Sequence, residues 1–413
     1  MRSDMRRIGI EKINIYGSSL ILDQQKLAVA RGMDPQKVVA DFLIDTRSLN
    51  PLYEDTVTMG VNAAAPMLEG EDRQAIGMLV VGTESSVDFG KPISTNIHGA
   101  LGLPSNVRNF ETKHACYSGV AALDTALNWI ASGLNRGRKA LVISTDFSRM
   151  HLGAKEEFVL GGVAAAALVS DSPRVVEYEL AKRGTWTSDV YDTFRPSARH
   201  EMGNNEVSLY TYLDALEGSY RDYVEAVGGA VDFDGYFAQN CYHTPFPGMA
   251  FQAHRTMCNL ARPRTKLEIR ESFTQKTQPS LLYARRVGST YGASNFLGIC
   301  GLAMSAQGVK AGDRISFFAY GSGAIGEFYS GLLCADAREV VAGMGIDASL
   351  DARREVSVAE YETIEKMREQ AIEQPRFDPD FSLPAGWYDA YYRGKKRLVL
   401  RQVKDFYRTY EWS

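Results

Sequence analysis

Cysteine is scarce in this chain. The five that occur, Cys116, Cys241, Cys258, Cys300 and Cys334, are odd in number, scattered and without a CxxC pair, which argues against a disulfide framework and a structural zinc site. Histidine is nearly as scarce, with six residues. His98 and His114 lack ligand spacing and read as structural, so no metal is expected. An excess of positive charge is also absent. Lys and Arg number 46 against 50 Asp and Glu, for a net charge of -4, so no basic field collects phosphates and a generic nucleic-acid binder is disfavoured. No apolar run approaches the length of a membrane span. The basic opening, "MRSDMRRIGIEKINIYG", runs into strand-like alternation rather than the apolar region of a signal peptide, and the chain reads as cytoplasmic. Low-complexity linkers and exact internal repeats are missing as well.

What is present is a large ordinary globular composition. With 413 residues, 45% of them apolar and 23% charged, the chain has material for two domains or for one domain built from two halves. Short β-branched runs end at glycine or small polar residues: "IGIEKINIYG" (8–17), "IGMLVVGTES" (76–85), "KALVISTDFS" (139–148), "AAAALVSD" (164–171), "YFAQNCYH" (236–243) and "RISFFAYGSG" (314–323). Helical patterns lie between them, at 35–44, 56–70, 118–133, 200–225 and 293–308. The alternation predicts an α/β protein with parallel or mixed buried sheets. After about residue 340 the chain turns charged and then aromatic, which suits a C-terminal extension packed on the core.

Several strand-like runs end directly in polar or small residues: "GTESS", "STDFS", "NCYH" and "YGSG". Ligands of α/β sheets bind beyond the carboxyl ends of strands, so the regions of Glu84, His243 and Ser322 are candidates for one site. Cys116, in "FETKHACYSG", stands between an extended run and an alanine-rich helical pattern. A thiol there meets the positive end of a helix, which favours the nucleophilic thiolate. Glu84, if buried, would have a raised pKa and could serve as a base near neutrality. His243 could polarise a carbonyl. The turn at Gly321 and Ser322 is wrongly spaced for a P-loop but could aim N–H groups at an oxyanion. Read singly, each has an ordinary alternative: a buried inert thiol, a solvated carboxylate, a core histidine, a tight structural turn.

Together, however, "DTVTMGVNAAAPML", "GTESSVDFGK", "ACYSG", "LVISTD", "DVYDTFRP", "YHTPF" and "YGSGAIGEFYSG" resemble the HMG-CoA synthase family of the thiolase superfamily. The resemblance implies a duplicated thiolase-type α/β/α/β/α sandwich with mixed sheets, with halves at 1–175 and 176–413, usually dimeric. It implies that Cys116 is acylated by an acetyl thioester and that Glu84 takes a proton from the acetyl methyl. His243 then hydrogen-bonds the acceptor carbonyl as it becomes an alkoxide, and water releases the product. The Cys116 N–H and the Ser322 turn would be oxyanion donors, with Ser289 and Tyr291 in the substrate pocket. No metal or organic cofactor is implied.

Four positions depart from the pattern of the primary-metabolism enzyme. His114 replaces a glutamate, Gly248 a lysine that helps hold CoA, Ser289 an asparagine and Met150 a pocket tyrosine. "KHACYSG" with "YHTPFPGM" is more similar to the HMG synthase homologues of bacterial polyketide β-branching cassettes. Those take acetyl from one acyl carrier protein and add it to a β-ketoacyl chain on another. An acidic carrier would need a basic patch, for which Arg262, Arg264 and Lys266, with Arg31, are the candidates. The alternatives are a CoA-using HMG-CoA synthase, a decarboxylating β-ketoacyl-carrier-protein synthase in which Glu84 has no role, and a non-catalytic docking partner.

Overall fold

The computed structural model describes residues 7–70, 73–149, 152–229 and 231–413. Nine strands form one continuous sheet: β1 (Gly9–Tyr16), β2 (Ile76–Gly82), β3 (Arg108–Thr112), β4 (Lys139–Phe147), β5 (Gly162–Ser170), β6 (Val176–Thr187), β7 (Gln239–Tyr242), β8 (Arg314–Gly321) and β9 (Ile325–Leu333). Their spatial order is β7-β8-β9-β6-β1-β5-β4-β2-β3. The sheet is joined at its middle by two residue pairs only, Gly9 with Glu177 and Ile10 with Val176. Outward from that seam the two sides repeat one pattern. β1 pairs antiparallel with β5, β5 antiparallel with β4, and β4 parallel with β2. Likewise β6 pairs antiparallel with β9, β9 antiparallel with β8, and β8 parallel with β7. The duplication is therefore topological, although no repeat is visible in the residues.

The helices make this a five-layer sandwich. Alternate residues of a strand face opposite sides, and here both sides are apolar. In β2, Leu79 and Val81 face α1 (Thr56–Ala64) and α2 (Ile93–Ala100) in one buried cluster. Met78 and Val80 face the opposite way. They join a central layer in which Val120, Leu123 and Leu127 of α3 (Ser118–Ala131) meet Phe296, Ile299 and Cys300 of α7 (Ser294–Ser305). Ile315 and Phe317 of β8 close that layer from the other side. Phe318 and Tyr320 point outward against Tyr212, Leu216 and Tyr220 of α4 (Asn205–Val227) and Met257 of α5 (Met249–Ala261). α6 (Lys266–Lys276) packs behind α5. A strand buried on both faces needs a continuous apolar run, which is why "IGMLVVG" and "GVAAAALVS" contain no charge.

Two strands escape the sequence pattern. β6, "VEYELAKRGTWT", carries charges along its length, and β9, "IGEFYSGLL", contains Glu327. Each charge has a partner: Glu179 of β6 accepts from Arg314 at 2.7 Å, and Glu327 lies 3.2 Å from Arg183. The run expected as a strand over 236–243 is strand only at Gln239–Tyr242, because Asp232 caps a short helix that ends at Tyr236. The helix expected from residue 200 starts at Asn205, where the Asn204 side chain accepts from the N–H groups of Glu206 and Val207. The tail packs on the core. A hairpin of β10 (Leu398–Lys404) and β11 (Tyr407–Trp412) is held by reciprocal Asn62–Leu398 hydrogen bonds of 2.8 and 3.1 Å.

Candidate active site

β2 ends at Gly82, and the next two residues place Glu84 beyond the sheet. Asp146, near the end of the adjacent β4, holds this corner. Its Oδ1 accepts from the Glu84 N–H at 2.9 Å and from the Thr83 hydroxyl at 2.9 Å. Cys116 stands two residues before α3, after Ala115, whose φ of 43° lies in the left-handed region. This turn brings the Cys116 Sγ to 3.9 Å from Glu84 Oε2, the weak contact of a thiol donor with a carboxylate.

The setting gives both groups unusual acidity. Burial pushes the Glu84 carboxyl up to about 8, with Asp146 and Glu201 adding to it against the pull of Arg195. Burial likewise pushes the Cys116 thiol well up, helped by Glu84 and Asp146. The expectation of a dipole-stabilised thiolate is thus corrected. Burial and the neighbouring carboxylates outweigh a helix terminus, whose influence fades within a turn. The resting nucleophile is a thiol.

His243 follows β7 and is fully buried. Its ring lies between Tyr212 and Tyr320, with centroids at 6.3 and 6.2 Å. Burial lowers its pKa to about 3, so the ring is neutral at physiological pH. Its Nε2 is buried without a partner, and such an orphan is costly unless a ligand completes it. Tyr320 connects His243 to the rest of the site, because its hydroxyl donates to Asp192 at 2.5 Å and lies near Cys116.

The glycine-rich turn closes against the nucleophile's loop. A Cβ on Gly321 would meet the His114 carbonyl oxygen at 2.5 Å and the Tyr117 N at 2.8 Å, so only glycine allows this approach. Asp192 pins the turn by accepting from the Gly323 N–H at 2.9 Å. Ser322 sits half-buried beside Tyr320. Ser289 and Tyr291 enter from the turn before α7. Thr290 between them donates to the Thr244 carbonyl at 3.1 Å, and the Tyr291 hydroxyl donates to Ser148 at 2.8 Å. Met150 lies outside the described residues.

Four residues of this cluster were not singled out from the sequence: Asp146, Asp192, Arg195 and Glu201. Arg195 Nη1 donates to the Glu84 carbonyl at 3.3 Å and to the Ser85 hydroxyl at 3.0 Å, and its guanidinium lies over the Tyr291 ring at 5.4 Å. Asp146, Asp192 and Arg195 sit in "LVISTD" and "DVYDTFRP", so the signal was charge inside otherwise apolar or aromatic motifs. Glu201, in "ARHEMGN", carried no such signal.

The basic candidates lie outside this cluster, and they divide. Arg31 is clamped by Glu157 at 2.8 Å and Glu362 at 2.7 Å. Arg264, its side chain 4% exposed, is paired with Asp234. Both are engaged in ion pairs, Arg264 deeply and Arg31 with a fifth of its side chain still exposed. Arg262 and Lys266 remain exposed.

A duplicated five-layer sandwich with a cysteine, a carboxylate and a neutral histidine gathered beyond its strand ends is the architecture of a thiolase-type condensing enzyme. Family models for the N-terminal and C-terminal parts of hydroxymethylglutaryl-coenzyme A synthase match residues 4–173 and 244–410. The chain belongs to the HMG-CoA synthase family, whose members are acyl-transferring, carbon–carbon bond-forming enzymes. It is 35% identical to the polyketide biosynthesis 3-hydroxy-3-methylglutaryl-ACP synthase PksG of Bacillus subtilis, over 98% of this chain and 99% of that protein. It is 34% identical to the hydroxymethylglutaryl-CoA synthase of Enterococcus faecalis, over 86% and 91%. Its structure is similar to that of the curacin biosynthetic pathway HMG synthase in complex with apo donor-ACP, with a TM-score of 0.93, 37% identity and coverage of 98% and 100%. Among the described residues no group of His, Cys, Asp and Glu could hold a metal ion, and no helix is long and apolar enough to cross a membrane.

Proposed function

We propose that this chain adds an acetyl-derived carbanion from an acetyl-carrier protein to the β-keto carbon of a polyketide chain on a second carrier protein, creating a β-branch. The observation that carries the reading is the Cys116 thiol 3.9 Å from the Glu84 carboxyl, which is 13% exposed and whose pKa its surroundings raise. A decarboxylating condensing enzyme has no use for that base. Cys116 Sγ attacks the donor thioester. The Sγ–acetyl bond forms, the donor carbon–sulfur bond breaks, and the thiol proton ends on the departing sulfur. Glu84 then removes a methyl proton, and the enolate attacks the β-keto carbon held in the same pocket. Neutral His243 donates from Nε2 to the growing alkoxide. The Cys116 N–H and the turn at Gly321 and Ser322 stabilise the acyl oxygen. Ser289 and Tyr291 line the acyl pocket. Water finally cleaves the enzyme thioester to a carboxylate. No metal or organic cofactor enters this scheme, since the acyl group arrives on the phosphopantetheine arm of a carrier protein.

CoA as donor is the second reading, and Gly248 weighs against it. Its N–H donates to the Phe42 carbonyl at 2.9 Å, and a Cβ there would meet the Asp41 carbonyl oxygen at 2.3 Å. Backbone occupies the space in which a lysine would begin. The relatives named for polyketide biosynthesis or bound to donor-ACP support the carrier reading. Acetylation, followed as intact-protein mass, is expected to be faster from acetyl-carrier protein than from acetyl-CoA. The carrier-dependent rate should fall as salt rises, and charge reversal at Arg262 or Lys266 should slow it selectively. Gly248→Lys is expected to lower thermal stability by about 1–3 kcal/mol through overpacking without improving CoA use. Equal rates from both donors, indifferent to salt, would return the reading to the CoA enzyme.

The chain is also proposed to be a homodimer in the cytoplasm. β3 ends the sheet and pairs on one side only among the described residues, leaving backbone groups for a second copy. Light scattering should give twice the chain mass, and a monomer mass at micromolar concentration would refute this.

A further inference from the structure

We propose that Glu201 is a positioning residue that holds Arg195 away from Glu84 and so keeps Glu84 usable as a base. The inference rests on the proposed function, in which Glu84 takes the methyl proton. One nitrogen, Arg195 Nη2, serves two carboxylates: it lies 2.6 Å from Glu201 Oε2 but 3.3 Å from Glu84 Oε1. The tighter contact is with the carboxylate that does not face Cys116. This division is built into the backbone. Thr193–Phe194 pairs antiparallel with Met202–Gly203, Gly203 opposite Thr193 and Met202 opposite Phe194. One step further along this register places Glu201 opposite Arg195, a cross-strand ion pair.

Arg195 cannot simply leave. Nη1 is anchored on the Glu84 carbonyl and the Ser85 hydroxyl, and the guanidinium is stacked on Tyr291. Nε is buried without a partner, and the allocation of Nη2 between the two carboxylates is what can change. The side chains of Arg195, Glu84 and Glu201 are 12, 13 and 17% exposed, so solvent screens their charges little. The charged and titratable groups facing Glu84 are Arg195 and Glu201 from the hairpin, Asp146 and Arg149 from β4 and its end, Cys116 from the nucleophile turn, and Tyr291. Three carboxylates thus face two guanidiniums. Without the Glu201 charge the count is even, and Nη2 has no competitor for the Glu84 carboxylate. A carboxylate fully paired with arginine is a weaker base. Burial opposes the Arg195 charge, yet Glu84 and Glu201 together hold it above its ordinary value, so the pair does not resolve by deprotonating the arginine.

The test is the pH profile of condensation in the full-length enzyme, preloaded with acetyl on Cys116 and mixed with a β-ketoacyl acceptor. Wild-type rate should rise with pH through an inflection near 8, where Glu84 loses its proton. Glu201→Gln should move that inflection down by roughly one to two pH units. It should also lower the alkaline plateau by roughly three- to ten-fold, since a weaker base abstracts more slowly. Relative to wild type the variant therefore fares best at low pH, a change that general damage to the fold does not produce. Glu201→Asp keeps the charge and should stay near the wild-type inflection. If Glu201→Gln does not fold, Arg195→Gln supplies the opposite test, with the inflection rising. An inflection unmoved in Glu201→Gln, or a rate reduced equally at every pH, would overturn the proposal. Failure of the wild type itself to acetylate or to condense would instead overturn the proposed function.

Discussion

Replacing Cys116 with alanine is expected to abolish both the acetyl-enzyme and product formation, the latter by at least about 10³-fold. The sulfur is the most nucleophilic atom at this corner, and its geometry is set by others: Ala115 turns the chain, and Gly321 lets the glycine-rich turn come up against residues 114–117. The remaining four cysteines are buried, so none should accept acetyl in its place. Peptide mapping after incubation with acetyl donor checks this, and label on Cys241 or Cys258 in the wild type would refute the assignment. Because burial and two carboxylates hold the group as a thiol, alkylation of Cys116 by iodoacetamide should be slow at neutral pH. The thioester donor overcomes this by being bound with its carbonyl next to the sulfur.

Glu84→Gln separates the two half-reactions. Acetylation should survive, because the thiol proton leaves with the donor sulfur. Condensation should slow by about 10²–10⁴-fold, the usual worth of a positioned general base. The sign of the pH dependence in the wild type follows from the raised pKa. Below about 8 the Glu84 carboxyl is protonated and cannot abstract, so the rate falls as pH falls through that value. In Glu84→Gln this dependence should vanish. Rapid-quench measurement of product from the preformed acetyl-enzyme checks both. A glutamine variant that condenses at the wild-type rate would remove Glu84 from the mechanism.

The chemistry of this site depends on side chains in competition more than on any one residue's nature. His243 is an ordinary histidine whose pKa burial among aromatic rings pushes well down, so it is neutral near pH 7. Glu84 is an ordinary carboxylate lifted toward neutrality by burial and only partly drawn back by Arg195, which Glu201 shares. A neutral hydrogen-bond donor and a near-neutral base suit enolate formation and its capture.

The sequence by itself determined the α/β class, the buried strands that are apolar on both faces and the polar setting of Cys116 among otherwise apolar cysteines, because period and composition are written in consecutive positions. Glu84 and His243 had ordinary alternatives when read locally and stood out only through the family resemblance. Tertiary structure alone decided the protonation states, because a pKa depends on charges and desolvation contributed by residues far away in the chain. The expected thiolate at Cys116 is a thiol for that reason. It alone decided which arginines are surfaces and which are struts. Arg264 and Lys266 are two residues apart, yet one pairs inward with Asp234 while the other faces water. It also supplied Arg195 and Glu201, which bear on Glu84 from more than a hundred positions away, because only the antiparallel hairpin at 193–203 sets them opposite each other and swings both against the end of β2.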